Sequence, residues 1–202
     1  MLAPLGLLAL ACQQADPPPA PPAVIAPGTY LTDGFPLEDG QEVLAICGDR
    51  LERLPLSLER TGEQVTPQVS CAWQALLGGI DDRVGTGSIA VGPIGSLGAL
   101  SPPATVNVGL VEARIHGKRS SETAYRVVVR AGERFVLAEV DSPPDVSPTL
   151  IWAGDLDNDH AVDWILDTPS RDGTSHYRLY LTAKQPDGRP EEVSSSILRR
   201  QP

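Results

Sequence analysis

The chain has 202 residues and a formal net charge of −10, from 16 Lys and Arg against 26 Asp and Glu. Because nucleic acid is bound through a basic face and the basic residues here are scattered, this composition argues against nucleic acid as a partner. A hydrophobic fraction of 41% supports a folded core, and 20 Pro with 19 Gly favour short strands joined by turns.

The N-terminus has the character of a secretory signal. Residues 1–11 form an apolar run that is too short to cross a bilayer, which takes about 20 helical residues, and we predict that they are a signal peptide. The run ends with LALAC, which resembles a bacterial lipobox. This resemblance implies that Cys12 is lipidated and anchors the protein to a membrane. The resemblance also favours the outer membrane of the cell envelope as the destination, because residue 13 is Gln and not Asp. An ordinary signal cut near Ala11, or a buried N-terminal strand, is the alternative.

Prolines dominate the segment that follows Cys12, from Pro17 to Pro27. Consecutive prolines lack backbone donors and stay extended, so residues 12–27 are predicted to be a semi-rigid tether. A β domain is predicted over residues 28–185. Residues 186–202 are predicted to be a loose tail, because Pro, Gly and Ser recur there.

The body of the chain shows short apolar or alternating segments separated by turn residues, and no sustained helical period. This pattern predicts an all-β fold, either a compact sandwich or a partly open barrel. The predicted strands are Thr29–Thr32, Val43–Cys47, Leu54–Leu58, Val69–Trp73, Ser88–Val91, Val106–Ala113, Tyr125–Arg130, Arg134–Val140, Leu150–Ala153, Val162–Leu166 and Tyr177–Thr182.

Two cysteines remain if Cys12 carries lipid. Cys47 and Cys71 both lie in predicted strands, and an oxidising compartment outside the cytoplasm allows them to form a disulfide. Two unrelated buried thiols are the alternative, because the sequence does not place the two residues within bonding distance.

The segment from Asp155 to Asp163 concentrates acidic residues more than any other part of the chain. Aspartates occupy its first, third, fifth and ninth positions, and apolar segments lie on both sides. Carboxylates this close repel one another unless a cation lies between them, and Ca²⁺ prefers oxygen ligands of this kind. The pattern therefore predicts a calcium site, with a solvated acidic turn as the alternative.

The same segment resembles the calcium loop of FG-GAP and VCBS-type repeats. The resemblance implies that the side chains of Asp155, Asp157, Asp159 and Asp163 bind the ion together with the backbone carbonyl of Ala161. His160 stands where the family prefers glycine, at a position that typically needs a positive φ. Only one copy of the motif occurs, so a propeller of several blades is not expected.

No residue set in the chain indicates a reaction. The three histidines, His116, His160 and His176, lack the spacing of a zinc site, and no nucleophile motif is present. The sequence therefore predicts a non-catalytic envelope lipoprotein with a structural calcium ion, which binds an envelope protein or a surface polymer. The alternative is a small secreted hydrolase. A cleft holding a carboxylate or His of strongly shifted pKa would favour the hydrolase.

Overall fold

A computed structural model describes residues 22–80, 84–89, 95–97, 103–108, 111–119, 121, 124–131, 133–141, 147–170, 172–182 and 189–200. Every regular element in these ranges is a β-strand, which confirms the all-β prediction. No helix in the described ranges is long and apolar enough to cross a membrane. The predicted signal peptide, Cys12 and most of the predicted tether lie outside these residues.

Seventeen strands occur in the described part of the chain. In order they are β1 (Ala23–Ile25), β2 (Tyr30–Leu31), β3 (Glu42–Cys47), β4 (Arg50–Pro55), β5 (Ser57–Thr61), β6 (Gln64–Gln68), β7 (Ala75–Gly78), β8 (Gly87–Ser88), β9 (Gly95–Ser96), β10 (Ala104–Val108), β11 (Val111–Arg119), β12 (Ala124–Ala131), β13 (Glu133–Asp141), β14 (Thr149–Gly154), β15 (Asp163–Asp167), β16 (Thr174–Thr182) and β17 (Pro190–Arg199).

These strands form four antiparallel sheets that do not close into a barrel and are consistent with a sandwich. The strand orders are β1-β7-β3-β4-β8, β2-β6-β5, β10-β11-β12-β13 and β17-β16-β15-β14-β9. We call the last of these the central sheet, because its strands β14 and β15 are buried on both faces.

Two hydrophobic cores lie on opposite faces of the central sheet. Ile165 of β15 belongs to a first core shared with the sheets of β1–β8, whereas its neighbours Trp164 and Leu166 belong to a second core shared with β10–β13. Successive side chains of a strand point to opposite faces. This double burial explains the sequence of β15, Asp-Trp-Ile-Leu-Asp. Its central residues are all apolar, whereas a strand with one solvent-exposed face alternates apolar and polar residues.

The prediction of a loose tail over residues 186–202 is wrong for most of that range. Residues 190–199 form β17, the longest strand, which pairs along its whole length with β16. The strand does not follow the usual pattern of buried apolar and exposed polar residues. Ser194 and Ser196 are buried, whereas Ile197 is 65% exposed. Burial of Ser196 is offset by a hydrogen bond that its Oγ accepts from the Val24 N–H at 2.9 Å, whereas the buried Ser194 hydroxyl has no hydrogen-bond partner among the described residues.

The predicted tether also ends earlier than the sequence indicated. Ala23, Val24 and Ile25 form β1, are fully buried, and pair with β7. Their flanking prolines, Pro22 and Pro27, concealed this strand, because three residues are too few to show a pattern. The folded domain therefore includes residues 22–27, which the prediction placed in the tether.

Three predicted strands differ from the structure. Val69–Trp73 is a connection between β6 and β7, not a strand, and Cys71 lies in it. Leu54–Leu58 is divided between β4, which ends at Pro55, and β5, which begins at Ser57. Val106–Ala113 is divided between β10 and β11, which pair with each other. In each case the apolar or alternating pattern predicted one strand where the structure has a connection or two strands.

Cys47 and Cys71 form a disulfide in the structure, with their Cα atoms 6.0 Å apart. It ties the end of β3 to the connection before β7 across 24 residues. Closing a loop of that length in the unfolded chain stabilises the fold by about 3 kcal/mol. We expect non-reduced peptide mapping of protein produced in an oxidising compartment to recover the two cysteines linked. Alkylation of both thiols in the folded protein without reductant would contradict this pairing.

Candidate metal centre

The acidic loop connects two neighbouring strands of the central sheet. Gly154, the last residue of β14, pairs with Asp163, the first residue of β15, so residues 155–162 form the connection. Leu156 is buried in the first core and Val162 in the second. The loop is thereby fixed at both ends, one side chain in each core, and the intervening aspartates are held together.

Three carboxylates converge at this loop. One oxygen each from Asp155, Asp157 and Asp159 lies within 4.8 Å of the other two. Oxygens on opposite sides of a calcium ion are about 4.6–5.2 Å apart, because Ca–O distances are about 2.3–2.6 Å. The three oxygens therefore fit the first coordination shell of one calcium ion, and oxygen is the donor that calcium prefers.

Backbone hydrogen bonds hold these carboxylates in place. Asp155 is only 7% exposed and accepts hydrogen bonds from the N–H groups of Asp159 and His160, at 3.1 and 3.0 Å. Asp159 accepts one from the Ala161 N–H at 2.7 Å. Each bond curls the loop back on itself, so odd-numbered side chains point inward. The carbonyl of Ala161 stays a predicted ligand.

Asp163 occupies a different environment from the other three aspartates. Its side chain is fully buried, and its two oxygens accept hydrogen bonds from the N–H groups of Leu156 at 2.7 Å and Thr182 at 2.8 Å. Asp163 is not part of the three-carboxylate cluster. Asp163 therefore connects the loop to β16 through these two hydrogen bonds. Binding the ion would be a second role for the same carboxylate.

The loop contains two non-glycine residues with positive φ. His160 has a φ of 68°, as the resemblance implies, and Asn158 has a φ of 60°. Asn is among the residues that tolerate this left-handed region best, and His is also enriched there. His160 is exposed, with its Nδ1 3.6 Å from Asp155 Oδ2. The imidazole thus lies beside the cluster without filling it.

Burial and crowding both oppose ionisation of the cluster. Burial raises the pKa of Asp157, and the negative charges of Asp159 and Asp155 raise it further. Burial also raises the pKa of Asp163 well above its usual value, although its two backbone hydrogen bonds act in the opposite direction. A bound cation would favour the charged form of these carboxylates.

A second buried polar cluster lies where the two ends of the folded chain meet. Asp167 is held by Ser175 Oγ at 3.2 Å and lies 4.0 Å from the guanidinium of Arg200. Arg200 also lies over the ring of Tyr177, which contacts the Tyr30 hydroxyl at 3.3 Å. Burial raises the pKa of Asp167, but its carboxylate is covered by these groups and not open in a cleft. The cluster therefore has the character of a structural junction.

Comparison with protein-family models, with curated proteins and with solved structures finds no match. The resemblance of residues 155–163 to FG-GAP and VCBS-type loops therefore stays a prediction based on these residues alone.

Proposed function

We propose that this chain is a non-catalytic, lipid-anchored protein of the bacterial cell envelope, and that its Asp155–Asp163 loop binds a structural calcium ion. Its task is to bind another envelope protein or a surface polymer. The observation that carries the calcium proposal is the convergence of three carboxylate oxygens within 4.8 Å in a loop fixed at both ends. Thermal unfolding in calcium and in chelator tests it.

The position of the loop supports a structural role for the ion. Leu156 and Val162 connect the loop to different cores, and Asp163 connects it to β16. An ion that neutralises the carboxylates between these points removes their mutual repulsion. The bound ion therefore stabilises the loop that connects the two hydrophobic cores. The rest of the protein surface stays available to a partner.

The membrane anchor gives a prediction at Cys12. Expressed in a bacterium with two membranes, the wild-type protein is expected in the membrane fraction, whereas Cys12→Ser is expected to be released or left unprocessed. The reason is that Cys12→Ser removes the thiol that would carry the lipid, and without acyl chains the protein has no anchor in the bilayer. Intact-mass measurement of the membrane-purified wild type checks the modification, and a mass without lipid would contradict the anchor.

A further inference from the structure

A cleft of about 450 Å³ lies between the edge of the β10–β13 sheet and the central sheet. It is distant in sequence from the acidic loop and shares none of the loop's residues. Its volume is in the range of small-molecule sites, about 300–1,000 Å³. Its lining residues are Arg134, Phe135, Val136, Leu137, Tyr180, Arg189, Pro190 and Glu192.

Both walls of this cleft contain a β-bulge. Val128 pairs with Val136 and Val127 with Ala138, so Leu137 is the extra residue of β13. On the other wall, Tyr180 pairs with Glu192 and Leu179 with Ser194, so Val193 is the extra residue of β17. Bulges re-aim side chains and are over-represented beside functional sites.

The cleft is positively charged, although the chain as a whole carries −10. Arg134 and Arg189 are exposed at it and form no ion pair with any residue that the structure describes. The single acidic lining residue, Glu192, is neutralised by Arg178 at 3.2 Å. Within the described ranges, no acidic group neutralises these two guanidinium groups, and guanidinium binds carboxylates through paired hydrogen bonds.

Tyr180 lies at the base of this polar part. The residue is 3% exposed, and its hydroxyl oxygen is buried beside Arg178 and Glu192. Burial raises the pKa of Tyr180 to about 12, with Arg178 lowering it and Glu192 raising it. The hydroxyl is therefore protonated at neutral pH, and because it is covered, the exposed arginines are the groups that a ligand in the cleft would contact.

The remaining lining residues of the cleft are apolar. Val136 is 55% exposed, which is unusual for a large aliphatic side chain in a strand, and Phe135, Leu137 and Pro190 are half-buried beside it. An anion alone would leave this surface in water, whereas a ligand with an apolar group would cover it.

We propose that the cleft binds a carboxylate joined to an apolar group, with Arg134 and Arg189 contacting the carboxylate and Phe135, Val136 and Leu137 contacting the apolar part. This site is independent of the calcium loop and of the membrane anchor. It gives the protein a ligand-binding function beyond a structural ion.

The test is a titration of the ¹⁵N-labelled full chain with phenylacetate, followed by NMR. Saturable shifts are expected around residues 134–137, 178–180 and 189–193, with a dissociation constant of about 1 mM. The neutral isostere phenylacetamide is expected to bind at least about tenfold more weakly. So is glucuronate, which has the carboxylate without the apolar group.

Variants assign the binding to the cleft. Arg134→Gln with Arg189→Gln is expected to weaken phenylacetate binding at least about tenfold, whereas the matched control Arg60→Gln on exposed β5 leaves it unchanged. No saturable response up to about 20 mM, or equal binding of phenylacetamide or glucuronate, would overturn the proposal.

Discussion

Replacing Asp163 with alanine is expected to lower the free energy of unfolding by about 2–6 kcal/mol in EDTA, because two buried backbone N–H groups lose their acceptors. These are the N–H groups of Leu156 and Thr182. Burying the Asp163 carboxylate is itself unfavourable, which offsets part of the loss. The melting temperature is expected to fall by roughly 5–20 °C, measured by thermal unfolding.

Asp157→Ala is the matched control, with the same chemical change in the same loop. The hydrogen bond that Asp157 accepts from the Asp159 N–H is long, 3.3 Å, and the same N–H also reaches Asp155 Oδ1 at 3.1 Å. Removing Asp157 also removes its repulsion with Asp155 and Asp159. No loss of stability in EDTA is therefore expected. If Asp163→Ala were as stable as Asp157→Ala in EDTA, Asp163 would not be the link between loop and sheet.

Gly117→Ala is expected to destabilise the protein by about 3 kcal/mol or more, or to prevent folding. Gly117 lies in β11 opposite Val127, and an added Cβ would overlap the backbone carbonyl oxygen of Leu97. Leu97 has little freedom to move, because its N–H donates to the Pro148 carbonyl at 2.8 Å. Urea unfolding of purified protein, or the soluble yield where none folds, measures the effect.

Two other glycines provide controls for this substitution. A Cβ on exposed Gly85 meets open space, so Gly85→Ala is expected to change stability by less than about 0.5 kcal/mol. A Cβ on Gly78 meets the end of the Leu37 side chain, which is able to rotate away, so an intermediate loss is expected. Equal stability of Gly117→Ala and Gly85→Ala would show that β11 and Leu97 are not in close contact.

The sequence predicted the central sheet best where local pattern and burial agree. β14 and β15 are apolar on both sides of the acidic loop, because both of their faces are buried, one in each core. The positive φ of His160 was also predictable, since its place in the motif requires it. β17 was not predictable, because its buried face carries two serines, and the partner of Ser196, the Val24 N–H, lies 172 residues away.

The remaining features of the site depend on contacts that leave no local signal. The spacing of Asp163 predicts a ligand, but its bond to the Thr182 N–H exists only because β15 and β16 pair. The cleft beside Tyr180 similarly requires β13 and β17 to come together. Gly117 looks like an ordinary strand glycine until the Leu97 backbone is placed against it.

The central claim, that the acidic loop binds calcium, is tested most directly by melting the wild-type protein in calcium and in EDTA. Sites of this kind outside the cell bind at about 10⁻⁴–10⁻³ M. At roughly a hundredfold excess over the dissociation constant, an ion that binds only the folded state adds about 2.7 kcal/mol. For a domain of this size, that raises the melting temperature by about 5–10 °C.

Magnesium is expected to raise the melting temperature less, because it requires shorter bonds and a stricter geometry. Asp157→Ala is expected to abolish the difference between calcium and EDTA, since it removes one of the three converging carboxylates and leaves the Asp163 bonds intact. A wild-type protein that melts at the same temperature in excess calcium and in EDTA would contradict the account and leave residues 155–163 as an acidic turn.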